Sequence, residues 1–463
     1  MIRLERTTAQ SIGLDLGADS VKLLQLEAGA DSLAVLAAAR KSLFDEQGQT
    51  PSDPAELRKM ALAAARRLLD TGGFKGKHVV AALPREIVHF KNLRLPMIPA
   101  EELPAAIDFE AASIFPFDTT QAHVHFIHAG DVRQAGDTRQ EVIVLAARNQ
   151  DVDTFVEDLS GCGFEIESID FEPAAIYRCI ERFIRRREDE HGVFVLLDIG
   201  LRRSQLIMGR GRDISFYKPI DIGGRHLNEA VARKLSLSLD EARALRRRLA
   251  DGQSRSPRGE GEEEETDSFD ERRADQRSEL QRDPVRQAVA DATRSIIEDL
   301  GRAVTLCLRY HSVTFRGHRP ARLGIVGGES SDPYVCDVLS TTLGLPIQPE
   351  APLRHVDISR MPPGDRRGPL SGWAAALGLG LRRVSSHRGT TSATAVGAAT
   401  RPPALPAGSA HVVELPDHTA SSAEQAASAQ AENGAPAPTS ANRAAADGTQ
   451  QDRTGQQRER ACA

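Results

Sequence analysis

The stretch "IGLDLGADSVKLL", Ile12–Leu24, decides the fold, because it returns without gaps as "VLLDIGLRRSQLI", Val195–Ile207. Each copy reads as an apolar strand, an aspartate, an apolar residue, a glycine, a polar turn and an apolar return strand. An acid at the end of a buried strand loses hydration and needs something in return. Asp15 and Asp198 repeat that arrangement 183 residues apart, a plausible length for one domain of a duplicated pair. The repeat predicts two similar lobes, each opening with an Asp-x-Gly hairpin.

Strand and helix signals alternate around the two hairpins, which places the chain among α/β proteins. "LAVLAAARKSL" is open between a third strand and a short helix. Asp53, Pro54 and Glu56 mark a helix start, and Gly72 with Gly73 its end. A helix is expected over residues 100–114, and "AHVHFIHAG" and "EVIVLAAR" predict a hairpin whose long turn is "DVRQAGDTRQ". Beyond the second Asp-x-Gly hairpin, Ser238 and Glu241 are set for a capping box, Pro284–Tyr310 reads as a long helix, and "GWAAALGLGLRR" as a last small-residue helix. Residues 251–283 carry almost no apolar side chain and a block of acids, which predicts a disordered insertion. Residues 384–463, rich in Ala, Ser, Thr, Pro and Gly without an aromatic, predict a disordered tail.

The chemistry that asks for paired Asp-x-Gly hairpins is phosphate and metal binding between lobes. A carboxylate on each hairpin can hold a hydrated Mg2+, which keeps several waters, so Asp15 and Asp198 are the candidate metal residues, acting through water. Gly17 and Gly200, two residues later, let turn amides approach anionic oxygens. Gly223 and Gly224 stand between a strand and a helix, as do Gly327 and Gly328, where free amides favour an anion. The set points to a nucleotide in an interlobe cleft.

Composition narrows the partners. The 463 residues carry a formal charge of -6 and a pI near 6.2, which argues against a nucleic-acid binder. Five scattered cysteines without a CxxC pair fit a reducing cytoplasm. The N-terminal "MIRLERTTAQS" has no apolar signal core, and no run of about twenty apolar residues could span a bilayer. His123, His125 and His128 lack a paired cysteine or acid and read as surface histidines rather than a zinc site. Asp108 and Glu110, two apart on a helix, do not share a face. Phe109, Ile114, Phe115 and Phe117 fit either a peptide-binding patch or a core.

These residues resemble the actin-like ATPase superfamily of actin, the DnaK-type chaperones, sugar kinases and the division protein FtsA. "DLGADSVK" is similar to its first phosphate motif, with Lys22 seven positions after Asp15, "DIGLRRS" to the second, and "IVGGESS" to the adenosine motif. "IDFEPAAIYR" resembles the connecting helix, where an acid before proline positions the attacking water; Glu172 holds that place. A closer resemblance is to the PilM family of type IV pilus assembly proteins. It rests on "VVAALPREIVHFKNLRLPMIPAEELPAAIDFEAASIFPFD", similar to that family's extra subdomain, and on "DIGGRHLNEAVARKLSLSLDEARALRR", with Arg246 where a lysine usually stands near the nucleoside.

The resemblance implies an actin-like two-lobed fold of duplicated ribonuclease H-like domains. The first lobe would span 8–200 with an inserted subdomain at about 78–148, and the second 193–383. It further implies a cytoplasmic protein that binds ATP and Mg2+ and docks on the N-terminal cytoplasmic tail of a PilN-like membrane partner, under a pilus or pseudopilus (type II secretion) platform, with possible self-association. Ala18 and Leu201 depart from the family's hydroxyl residues, leaving Ser20 and Ser204 as the nearest hydroxyls and putting fast hydrolysis in doubt. The tail lacks the terminal amphipathic helix with which FtsA binds membrane, so direct insertion is not expected. The rival readings are an FtsA-like division filament and a small-molecule kinase of the same superfamily.

Overall fold

The computed structural model describes residues 8–29, 32–44, 50–51, 53–134, 136–184, 192–254, 283–315, 320–383 and 411–413. Most of the acidic insertion and of the tail lies outside the described residues.

Strands β1 (Thr8–Leu16), β2 (Ser20–Ala28) and β3 (Leu33–Ser42) form an antiparallel meander. The alanine-rich β3 is a strand because pairing with β2 along its length overrides alanine's helical preference. Helix α1 (Pro54–Thr71) starts as its sequence predicts, the Asp53 carboxylate accepting from the amides of Ala55 and Glu56. Strand β4 (His78–Ala82) then pairs parallel to β1.

The chain next leaves this sheet to build an inserted subdomain. Strand β5 (His89–Pro96), helix α2 (Leu103–Ile114), and strands β6 (Ala122–Gln134) and β7 (Asp137–Arg148) enclose a separate core around Leu93, Leu95, Ile107, Val142 and Val144. The long turn expected at "DVRQAGDTRQ" is largely strand, because β6 and β7, after a register shift between His128 and Gly130, pair on to Gln134 opposite Asp137, with Val132 buried in the core there. Phe115 is buried in that core and Phe117 stacks on it, so the core reading holds for these two, while Phe109 is exposed.

Helix α3 (Asn149–Gly161) and strand β8 (Glu165–Asp170) return to the first sheet, completing the order β3-β2-β1-β4-β8. Helix α4 (Glu172–Glu181) leads into the second lobe. There β9 (Val193–Ile199), β10 (Ser204–Arg210) and β11 (Asp213–Ile220) repeat the meander, followed by α5 (Gly224–Leu235), α6 (Leu239–Ser254) and α7 (Pro284–Phe315). Strand β12 (Leu323–Gly327), helix α8 (Pro333–Leu343) and strand β13 (Ile347–Pro349) close it, and helix α9 (Ala374–Gly380) packs back against β1 and α4. The second sheet has the order β11-β10-β9-β12-β13 with the same pattern of antiparallel and parallel pairs as the first. The duplication in the sequence is thus a duplication of topology, the actin-like arrangement.

Two boundaries differ from expectation. Helix α6 continues to Ser254, four residues into the acidic segment, and the Asp283 carboxylate at the segment's other end accepts from the amides of Val285 and Arg286 to start α7. Within the tail, β14 (His411–Val413) joins the inserted sheet beside β5, giving β14-β5-β7-β6.

Candidate functional site

Strand register puts the two aspartates in equivalent places. Asp15 lies opposite Lys22 across β1 and β2, and Asp198 opposite Gln205 across β9 and β10. Lys22 Nζ stands 2.9 Å from Asp15 Oδ2, and Gln205 Nε2 donates to Asp198 Oδ2 at 2.7 Å. The same partner position is therefore cationic in one lobe and neutral in the other. The turn glycines correspond as well. A Cβ on Gly17 would lie 2.9 Å from the Ser20 carbonyl oxygen, and one on Gly200 2.9 Å from that of Arg203.

Both aspartates line one cavity of about 490 Å3. Gly17, Ala18 and Asp19 come to it from the first turn, Gly200 to Arg203 from the second, Glu172 from the start of α4, and Gly327 with Gly328 from the end of β12. Gly327 has φ +94°, and a Cβ there would overlap Asp198 Oδ1, so glycine is required for this approach. Seven basic side chains, Lys22, Arg40, Arg58, Arg85, Arg202, Arg203 and Arg247, also reach the wall.

The carboxylates feel one another. Burial pushes the Glu172 carboxyl above the usual range; Arg85, 3.3 Å away, opposes this, while Asp198 and Asp15 add to it. Burial also raises Asp198, against the hydrogen bond from Gln205 and the charge of Arg85, and Asp15 raises it further. Burial works against the charge on Asp19 too, yet Lys22 and Arg40 outweigh it and hold that carboxyl below its ordinary value. Lys22 is raised because Asp15 and Asp19 overcome its own burial. Arg85 Nη1 and Arg202 Nε are buried without a hydrogen-bond partner, a cost that an anionic ligand in the cavity would relieve.

Five of the residues picked from sequence stand apart from the cavity wall. The Ser20 hydroxyl is buried and donates to Asp19 Oδ1, and the Ser204 hydroxyl donates to the Ile222 carbonyl, because each opens a return strand that turns its side chain away. Gly223 and Gly224 serve close packing: a Cβ on the first would meet the Arg202–Arg203 backbone, and on the second the Glu329 side chain. Arg246 is buried on its own lobe, bonded to Asn228 Oδ1 at 2.8 Å and Glu329 Oε2 at 2.6 Å. One residue on, about 100° around the helix, Arg247 reaches the cavity. Arg202 and Arg203 lie within the quoted "DIGLRRS" and Arg85 within the quoted "VVAALPREIVHFKN", though none was assigned to the site, whereas Arg40 and Arg58 belong to no motif.

A family model for "Type IV pilus assembly protein PilM" matches residues 13–253, which span both hairpins and the whole inserted subdomain. The chain belongs to the PilM family. Its fold is shared with a solved chain of the PilM-PilN type IV pilus biogenesis complex, at 23% identity and a TM-score of 0.61, covering 81% of this chain and 98% of that one. Weaker likenesses include the ethanolamine utilization protein EutJ from Carboxydothermus hydrogenoformans (14% identity, TM-score 0.42, 81% and 89% covered). MreB5 of Spiroplasma citri bound to ADP is another (10%, TM-score 0.38, 82% and 98%). In this PilM-family chain no described helix is long and apolar enough to cross a membrane. Nor does any group of three or more His, Cys, Asp or Glu among the described residues form a metal cluster by itself.

Proposed function

We propose that this PilM-family protein is a nucleotide-binding assembly protein that takes ATP with Mg2+ in the interlobe cavity. The observation that carries the reading is the convergence of Asp15 and Asp198, one from each lobe, on a cavity walled by seven basic side chains. The residues fit both groups. Glu172 and Asp198, each raised by burial with the charge of Asp15 adding to it, would be relieved by a divalent cation, and the lack of a cluster of three or more metal-ligating side chains among the described residues suits a metal that keeps most of its water. The turns at Gly17 to Asp19 and Gly200 to Arg203 offer amides to phosphate oxygens, and Lys22 and the orphaned Arg85 and Arg202 nitrogens supply charge. A bound Mg2+ would neutralise phosphate charge.

Hydrolysis on this reading is slow at most. Ala18 and Leu201 carry no hydroxyl, and those of Ser20 and Ser204 are engaged elsewhere. Glu172, the water-positioning candidate, is tied to Arg85. The family and the solved complex support a PilN-type partner whose N-terminal cytoplasmic segment docks on the inserted subdomain, keeping the protein at the inner membrane's cytoplasmic face without insertion. A groove of about 570 Å3 between the start of β5 (Val88–Lys91) and the end of α2 (Ser113–Pro116) is the proposed seat.

Asp15→Asn and Asp198→Asn should each weaken Mg-ATP binding by at least about tenfold, the scale of losing one charge-assisted contact. Calorimetric titration of both variants checks this, and unchanged affinity in the pair would remove the cavity from the reading.

A further inference from the structure

The inserted sheet carries a feature that nucleotide binding and partner docking leave unused. Strand β5 gives one whole edge to β7, from His89 opposite Ala146 to Pro96 opposite Arg139. Its other edge is taken by β14, antiparallel, with His411 opposite Arg94, Val412 opposite Leu93 and Val413 opposite Asn92. We propose that this edge of β5 is a strand-acceptor surface capped in cis by the chain's own tail segment His411–Val413.

The sequence of the tail supports that occupant independently. In residues 384–463, Val412 and Val413 are the one place where two large aliphatic residues adjoin, in a stretch rich in Ala, Ser, Thr, Pro, Gly, Gln and charges with only isolated Val and Leu besides. Adjacent valines favour a strand, and Pro406 and Pro416, which cannot donate to a ladder, stand on either side to keep it short. The other side of the pairing has a physical need for it. Without β14, the exposed row of β5 amides and carbonyls would be a template for any extended chain. Asn92 and Leu93 are buried, Arg94 is held by Glu141 at 2.8 Å, and β5 pairs along its whole length with β7, so β5 does not need the tail to be part of the sheet.

Reach is not limiting. Residues 384–410 lie between Arg383 and β14, and at no more than about 3.3–3.6 Å per residue they can span up to about 90 Å. Pairing within one chain is intramolecular, so it is not diluted as pairing between separate chains would be. Three paired residues bind weakly, so the cap forms through tethering and yields to any extended segment with longer register. It lies beside residues 88–91, where the proposed partner groove begins. The cap itself does not depend on that reading.

Hydrogen exchange on the full chain tests it. In the variant carrying Val412→Pro and Val413→Pro, those amides within residues 92–94 that point to β14 rather than β7 should exchange at least about threefold faster, while the β9 segment is unchanged. A chain ending at residue 410 should show the same acceleration. Protection in the unaltered chain should not vary over a tenfold range of protein concentration. Unchanged exchange at 92–94, or a change spread evenly over the protein, overturns the proposal; protection that rises with concentration assigns the edge to a second copy's tail and overturns the cis cap.

Discussion

Asp15 and Asp198 occupy the same place in a repeated hairpin but differ in the residue across from them, Lys22 in one lobe and Gln205 in the other. A lysine 2.9 Å away compensates one carboxylate, while burial and the charge of Asp15 push the other up. A pH dependence follows with a definite sign. Below its raised value Asp198 holds a proton that a cation must displace, so on the proposed function binding of Mg2+ with nucleotide would release protons at this site and weaken as pH falls. Affinity measured with Mg2+ over a falling pH series should therefore drop more steeply for the unaltered chain than for Asp198→Asn, which has no carboxyl to titrate. Parallel pH profiles for the two would remove Asp198 from the metal's surroundings. The hairpins were legible in the sequence because their chemistry is local, an acid, a glycine and a turn within a few residues. Arg85 was not: it reaches Glu172 across 87 positions of chain, and no spacing announces such a contact.

Among the elements, α4 and α9 make the closest approach. A Cβ on Gly378 would overlap the Ala175 carbonyl oxygen, and one on Gly13 that of Ala376, so α9 lies almost backbone to backbone against α4 on one side and β1 on the other. Gly378→Ala would force the helices apart and should cost about 1–3 kcal/mol, read as a lower denaturation midpoint. Helix α7 contributes a second element-scale effect. His311 is buried against Ser215, its ring nitrogen 2.8 Å from the hydroxyl, and burial with Arg210 nearby lowers it to about 4. The unfolded chain takes up this proton near pH 6.5 and the folded chain only near 4. The penalty is thus absent above 6.5, grows as pH falls, and is complete below 4. At pH 5 it amounts to about 2 kcal/mol. Denaturant titrations at pH 7.5 and 5 should show His311→Gln losing less stability on acidification than the unaltered chain. Equal losses would rule out this histidine as a source. Small-residue helices such as α9 could be read as helices from composition, but not the close crossing, because overlap depends on what another part of the chain brings. The outer part of the β6–β7 pair is not legible for a related reason: apart from the buried Val132 its residues are polar or glycine, and only pairing with a partner strand makes them strand.

At the scale of the whole molecule, α6 links the second lobe to the first beside the cavity. The Arg243 guanidinium lies 3.2 Å from the centroid of the Phe44 ring, and Arg247 stands 3.8 Å from Asp19 Oδ2. Arg202, from the second hairpin's turn, donates to the Pro51 carbonyl oxygen. Each contact joins residues from different lobes, and each flanks residues of the cavity wall, so separation of the lobes breaks them together. Burial and the neighbouring Arg247 bring Arg243 down to about 10, which leaves it charged at neutral pH and able to use the ring face. A cation-π contact of this kind is worth about 0.5–2 kcal/mol, enough to shift a balance between closed and open lobes without deciding the fold. Phe44→Ala and Arg243→Ala should therefore speed nucleotide dissociation about two- to thirtyfold, with association little changed, because closure holds a ligand already in place. The double variant should be no faster than either single one, since both remove the same contact. Stopped-flow dissociation of a fluorescent nucleotide gives the comparison; equal rates in all four proteins would separate nucleotide retention from lobe closure, and strictly multiplicative effects would show that Phe44 and Arg243 act apart.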